Sequence, residues 1–181
     1  HPLSPPGEAS DVVRKLVDAI EHDPARRWRD ADFRAIDVDA STARRQFKKR
    51  YGMTFVEYAR ARRMGLAMEQ IRKGEAVIDA QLNAGYASGS GFRDAFAKIM
   101  GAPPTKGTAR VMQAAWLDSP LGPILAIGDD DALHLLEFVE RRGLEREVER
   151  MRMRLKTAIV PGRNAVNDHL EQEMAAYFAG E

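Results

Sequence analysis

The chain has 181 residues, of which 44% are hydrophobic and 30% charged, enough to bury a core and too apolar to be disordered by composition. It has no cysteine, which excludes disulfides, thiolate metal sites and a cysteine nucleophile, and no uncharged apolar run long enough to span a bilayer. The net charge of +1 conceals an asymmetry: residues 1–110 hold 20 Lys/Arg against 14 Asp/Glu, and residues 111–181 hold 8 against 13. Such a split predicts two units, the first with an anionic partner, in a protein read by default as cytoplasmic.

Along the chain, the Pro-rich residues 1–10 read as a linker. A helix is expected from a Ser10 or Asp11 cap, with Val12, Val13, Leu16, Val17 and Ile20 on one stripe. A short helix with Trp28, Phe33 and Ile36 as core residues follows. The next helix has Asp39 as its cap, Ala43, Phe47 and Tyr51 at spacing four, and Gly52 as its stop. A longer helix starts at a Thr54 cap, buries Phe55, Tyr58, Met64, Leu66 and Ile71, and ends at Gly74. Residues 75–101 read as helix, glycine turn and helix, with Phe92 and Phe96 at spacing four. After Val111 the pattern becomes a three-strand meander with turns at "SPLG" and "GDDDA", then a charged helix, a strand at "TAIV" and a final helix.

"STARRQFKKRYG" at 41–52 carries five basic residues among twelve. On a helical wheel Ala43, Phe47 and Tyr51 share one side, while Ser41, Arg45 and Lys48 lie opposite, flanked by Arg44 and Lys49. A short helix with an aromatic seam and a basic outer face, preceded by another short helix, fits a helix-turn-helix whose second helix enters the major groove. A solvated amphipathic helix would show the same charge, so the pattern alone leaves both readings open.

The repeat of this grammar at 75–101 favours the first. "RRQFKKRYG" at 44–52, "YARARRM" at 58–64, "NAGYASGSGF" at 83–92 and "FAKIMGAPP" at 96–104 together resemble the DNA-binding domain of AraC-type regulators over roughly residues 11–106. The resemblance implies base contacts from Ser41, Arg44 and Arg45 on the first recognition helix, and Ser90 and Arg93 on the second. It also implies phosphate contacts from Lys48, Arg60 and Arg63. Three departures stand out: Asp94 occupies a position often basic in the family, Gly89 and Gly91 replace larger readers, and Phe55 stands where Pro is common. The second helix is therefore expected to serve backbone contact more than base reading.

"LDSPLGPILAIGDDDALHLLEFVE" and "EQEMAAYFAGE" resemble the start and end of the ribonuclease-H-like N-terminal domain of methyltransferases that repair 6-O-methylguanine in DNA. An AraC-like domain followed by such a segment is the layout of Ada-type adaptive-response regulators. The expected architecture is thus two domains: an all-α twin helix-turn-helix at 11–108 and a small α/β ribonuclease-H-like domain at 111–181. The implied function is sequence-specific DNA binding for transcriptional control of the alkylation response. Double-stranded DNA and RNA polymerase are the expected partners, with no membrane. The alternative is a fragment of a bifunctional regulator and repair enzyme whose methyl-accepting cysteine lies in a catalytic half absent here; a thiolate is the nucleophile that step needs. A third reading makes the acidic back third a dimerisation or protein-interaction module. No cofactor or metal is expected, since His1, His22, His134 and His169 lack ligand spacing and "GDDD" at 128–131 reads as a hairpin turn.

Overall fold

The computed structural model describes residues 6–105 and 110–180. The chain folds as two compact units, residues 1–63 and 64–181, and the division falls within a long helix.

In the first unit α1 spans Pro6–His22, α2 Asp30–Ala35, α3 Ala40–Tyr51 and α4 begins at Phe55, running to Arg72. The start of α1 precedes the expected cap at Ser10 or Asp11. Proline at the first helical position forgoes only an N–H that would have no helical partner, so the helix extends back to Pro6. The other half of the expected linker, residues 1–5, lies outside the described residues. Val13, Leu16 and Ile20 are buried along α1.

The core of this unit is aromatic. Phe47 sits among Tyr51, Phe55 and Tyr58, with ring centroids at 4.3, 5.2 and 5.1 Å, and Phe33 lies 5.2 Å from Phe55. Trp28 packs 4.9 Å from Phe55, edge to face. Phe55, at the position where the family resemblance suggested Pro, fills the middle of this cluster at 1% exposure. Between α2 and α3, Asp37 takes a left-handed conformation (φ 56°) that Asp tolerates better than most residues, and Val38 rather than Ile36 becomes the buried residue of the turn.

The second unit holds the end of α4, α5 (Val77–Asn83), α6 (Gly89–Met100), β1 (Arg110–Leu117), β2 (Ile124–Gly128), β3 (Leu133–Phe138), α7 (Leu144–Leu155), β4 (Thr157–Pro161) and α8 (Ala165–Ala179). The strands form one mixed sheet in the order β3-β2-β1-β4, in which β1–β2 and β2–β3 are antiparallel and β1–β4 parallel. The expected meander and fourth strand are present, with α7 as the crossover that a parallel partner requires. The "GDDD" turn is a hairpin whose Asp129 carboxylate accepts from the Asp131 and Ala132 N–H groups.

Strand alternation sends neighbouring residues to opposite faces. Met112, Ala114, Leu125 and Ile127 pack with Leu144 and Met151 of α7. On the other face Ala115, Leu117 and Ala126 pack with Leu170 and Met174 of α8. There too Val111, Ala158 and Val160 join one core with Met64, Met68 and Ile71 of α4 and Phe92, Phe96 and Met100 of α6. The second helix-turn-helix pair and the sheet therefore share a core.

The approach of α4 to β4 depends on Gly65, where an added Cβ would lie 2.9 Å from Val160 Cγ2. Replacing a helical glycine by alanine gains about 1 kcal/mol of propensity, but overpacking a stiff β-branched neighbour costs about 1–3 kcal/mol. Gly65→Ala should therefore destabilise the second unit by about 1 kcal/mol, measured as a lower urea midpoint at unchanged m-value. A midpoint that rose would show that Val160 yields freely.

Candidate nucleic-acid interface

Helix α3 is fixed at both ends by its own sequence. The Asp39 carboxylate accepts from the Thr42 N–H at 2.8 Å and from the Ser41 hydroxyl at 2.6 Å. Gly52 closes the helix in the left-handed conformation (φ 72°), and Lys48 Nζ donates to its carbonyl at 2.6 Å. Ala43 and Phe47 are wholly buried, which turns the opposite face outward.

On that face Ser41, Arg44, Arg45, Lys48 and Lys49 are all exposed. Arg44 is paired with Asp30 at 2.5 Å across the turn, and Ser41 is engaged in the cap. Arg45 and Lys49 have no partner among the described residues. Arg60, exposed on the first turns of α4, lies close enough to Glu57 to help depress its carboxyl. The larger cause there is the Thr54 N–H and hydroxyl, with which Glu57 forms the capping box of α4.

Asp39 itself is held down to about 2 from the usual 3.8, first by the Ser41 hydroxyl and then by the Thr42 N–H. A depressed folded-state value means the cap's contribution is fully present above the unfolded-state value and is lost as pH falls through the folded one. The start of α3 should thus stay capped at pH 4 and fray as the pH approaches 2. An NMR titration of the Asp39 carboxyl carbon should show a midpoint near 2; a midpoint near 3.8 would mean the cap is not formed in solution.

Arg63 requires a correction. The run "RARR" at 60–63 divides, with Arg60 facing out and Arg62 and Arg63 facing in. Arg63 is only 9% exposed and its Nη1 donates to the Arg26 carbonyl at 3.0 Å. Arg62 makes a two-pronged pair with Glu21 at 2.7 and 2.8 Å. A guanidinium buried to that degree cannot reach a phosphate without giving up its bond, so Arg63 ties α4 to the loop after α1. The signal was present in the sequence: positions 62 and 63 continue the stripe of Phe55, Tyr58 and Ala59.

In the second unit α6 starts at the Ser88 cap, whose hydroxyl accepts from the Gly91 N–H at 3.2 Å. Ser90, Arg93 and Asp94 are exposed, and Arg93 Nε donates back to the Gly89 carbonyl at 3.2 Å. The two glycines have a packing cause. A Cβ at Gly91 would come 3.0 Å from the capping Ser88 hydroxyl, and one at Gly89 3.3 Å from Gln81 Oε1. Gln81 is buried, and its Nε2 donates to the Tyr86 carbonyl at 3.1 Å, holding the turn between α5 and α6. The small residues thus let α6 begin close against α5.

Ser41, Arg44, Arg45, Lys48 and Arg60 belong to the first unit, and Ser90 and Arg93 to the second. Among the described residues no helix is long and apolar enough to cross a membrane, and no cluster of His, Asp or Glu could hold a metal ion.

Residues 34–110 match a family model described as a helix-turn-helix domain. A protein of Streptomyces lividans described as an AraC-like transcription regulator is 35% identical over 100 residues, covering 54% of this chain and 33% of that protein. A protein of Streptomyces antibioticus with the same description is 33% identical over the same shares. The chain thus spans about a third of the length of these relatives. The C-terminal domain of AraT, a response regulator from Geobacillus stearothermophilus, is 23% identical, with a TM-score of 0.48 over 57% of this chain and 84% of that one. Residues 34–110 are thus similar to a helix-turn-helix domain, and about half of the chain is similar to part of AraC-like transcription regulators.

Proposed function

We propose that this chain binds duplex DNA in a sequence-specific manner as an AraC-like transcription regulator, with α3 as its principal reading helix. The observation that carries the reading is Arg45. It stands exposed and unpartnered among the described residues on a helix capped at both ends and anchored by wholly buried Ala43 and Phe47. Arginine held in this way presents a rigid fork that matches the O6 and N7 acceptors of guanine. Arg44, Lys48, Lys49 and Arg60 surround it as phosphate contacts. Helix α6 contributes Arg93 and Ser90, with Asp94 weakening its hold on phosphates.

The test is the salt dependence of duplex affinity. With five or six phosphate contacts, the slope of log K against log salt should be about −5. A slope near zero would contradict the assignment of this face to DNA.

Within this reading the back third is a ribonuclease-H-like domain and the regulated genes belong to the alkylation response, with RNA polymerase as a partner in the cytoplasm. The support is the sequence resemblance together with a three-strand meander, a crossover helix and a fourth strand parallel to the first. The chain has no cysteine to accept a methyl group, which favours regulation over repair as the role of these residues.

A further inference from the structure

Residues 111–181 are acidic overall, yet seven of their eight basic residues fall between Arg141 and Lys156, on α7 and its flanks. The helix is amphipathic, burying Leu144 and Met151 against the sheet, with Val148 and Leu155 packed beside them. Of its three carboxylates Glu145 has no ion pair among the described residues, and the other two are engaged at the edges of the helix. Glu147 pairs with Arg141, and Glu149 with Arg152. Arg142, Arg146, Arg150, Arg154 and Lys156 are all exposed and have no acidic partner among the described residues. Arg150 makes only a long bond, at 3.4 Å, to the carbonyl of Arg146.

On a helical wheel Arg146 lies on the outward face, opposite the buried stripe, and Arg150 and Arg154 advance from it by about 40° per four-residue step toward one flank. Met153 falls beside Arg146 at the centre of that face and is 66% exposed. A flexible thioether on a face that also carries Arg146 and Arg150, with Glu149 one turn before it, is an apolar anchor within a mainly cationic surface.

The face points away from the second helix-turn-helix. Ala158 and Val160 of β4 turn to the core shared with α6, whereas Ile159 turns to the side of α7. Helices α6 and α7 therefore lie on opposite faces of the sheet, and a duplex held by the exposed side of α6 does not lie against α7. Arg146, Arg150 and Arg154 are thus open to an anion other than that duplex, and Met153 to an apolar group beside it.

We infer that the outer face of α7 is a docking site for an acidic amphipathic protein segment, with carboxylates meeting Arg146, Arg150 and Arg154 and an apolar side chain covering Met153. Arginine forks bind carboxylates in two-pronged fashion, and an anion series on a partner helix has the same four-residue repeat as these arginines. This surface lies on the face of the sheet opposite α6, and the partner inferred for it is a protein segment, not DNA.

The test uses the whole chain with two labelled probes: a helical peptide bearing glutamates at four-residue spacing around a central leucine, and a duplex of random sequence. The chain should bind the peptide in a salt-sensitive manner, and Arg146→Glu/Arg150→Glu/Arg154→Glu should weaken it at least about tenfold. The milder Arg146→Gln/Arg154→Gln, which keeps the helix free of new repulsion, should weaken it in the same direction. Met153→Ser should weaken peptide binding with little change in its salt slope, and duplex binding should stay within about twofold for all three variants. Failure of the peptide to bind, or binding that survives both arginine variants, would overturn the proposal. So would loss of the duplex in place of the peptide, which would make α7 a nucleic-acid surface.

Discussion

Phe47→Ala should destabilise the first unit by about 3–5 kcal/mol, the range for removing a fully buried aromatic ring from a packed core. The ring is 0% exposed and touches Tyr51, Phe55 and Tyr58, so its loss leaves a cavity bounded by three other rings. Those rings are braced in turn by Phe33 and Trp28, which limits how far the site collapses. Domains of ordinary stability have about 5–15 kcal/mol in total, and a unit of this size lies toward the low end. The variant should therefore lose much of its folded population while the second unit, whose core contains no part of this cluster, keeps its own transition. Urea unfolding followed by Trp28 fluorescence measures the first and Trp116 fluorescence the second, each in a chain with the other tryptophan replaced by Phe. A loss below about 1 kcal/mol on the Trp28 signal would mean that α3 is not anchored through Phe47.

What the sequence made legible was local. Helix α3 could be placed from its cap at Asp39, its seam of Ala43 and Phe47 and its stop at Gly52, because each acts within one or two turns. The meander could be placed from its two turns for the same reason. Long-range partnership was not legible. Phe92 and Phe96 read as the seam of a helix-turn-helix, and nothing local says that β4 completes their core or that Gly65 is small to admit Val160.

Two features of the candidate site depend on position within the fold rather than on residue type. The family resemblance implies a phosphate contact from Arg63, whereas its place on the stripe of α4 sends it inward to the Arg26 carbonyl. Gly89 and Gly91 leave α6 without large side chains at these positions, and the close approach of the Ser88 hydroxyl and Gln81 to them, which the sequence does not show, adds a packing cause. The sequence shows that α7 is a charged helix, but which of its arginines stay unneutralised depends on side-chain geometry that spacing alone does not supply.

Arg45→Ala carries the second large effect, a loss of about 1–3 kcal/mol in binding to the preferred duplex together with relaxed preference at one base pair. The substitution removes no packing, since the side chain is exposed and has no partner among the described residues, so the folded chain should melt as before. Arg44→Ala should cost less than Arg45→Ala, because Arg44 must leave Asp30 before it can contact DNA. Ser90→Ala on α6 should cost less still. Arg60→Ala should weaken all duplexes roughly alike, as a phosphate contact does. The direct measurement is to select the preferred duplex from a random library with the wild-type chain, then titrate wild type and Arg45→Ala against that duplex and a scrambled one. The account predicts that the variant loses affinity for the selected duplex and little for the scrambled one. Equal losses on both, or a larger loss from Ser90→Ala than from Arg45→Ala, would contradict the assignment of α3 as the reading helix.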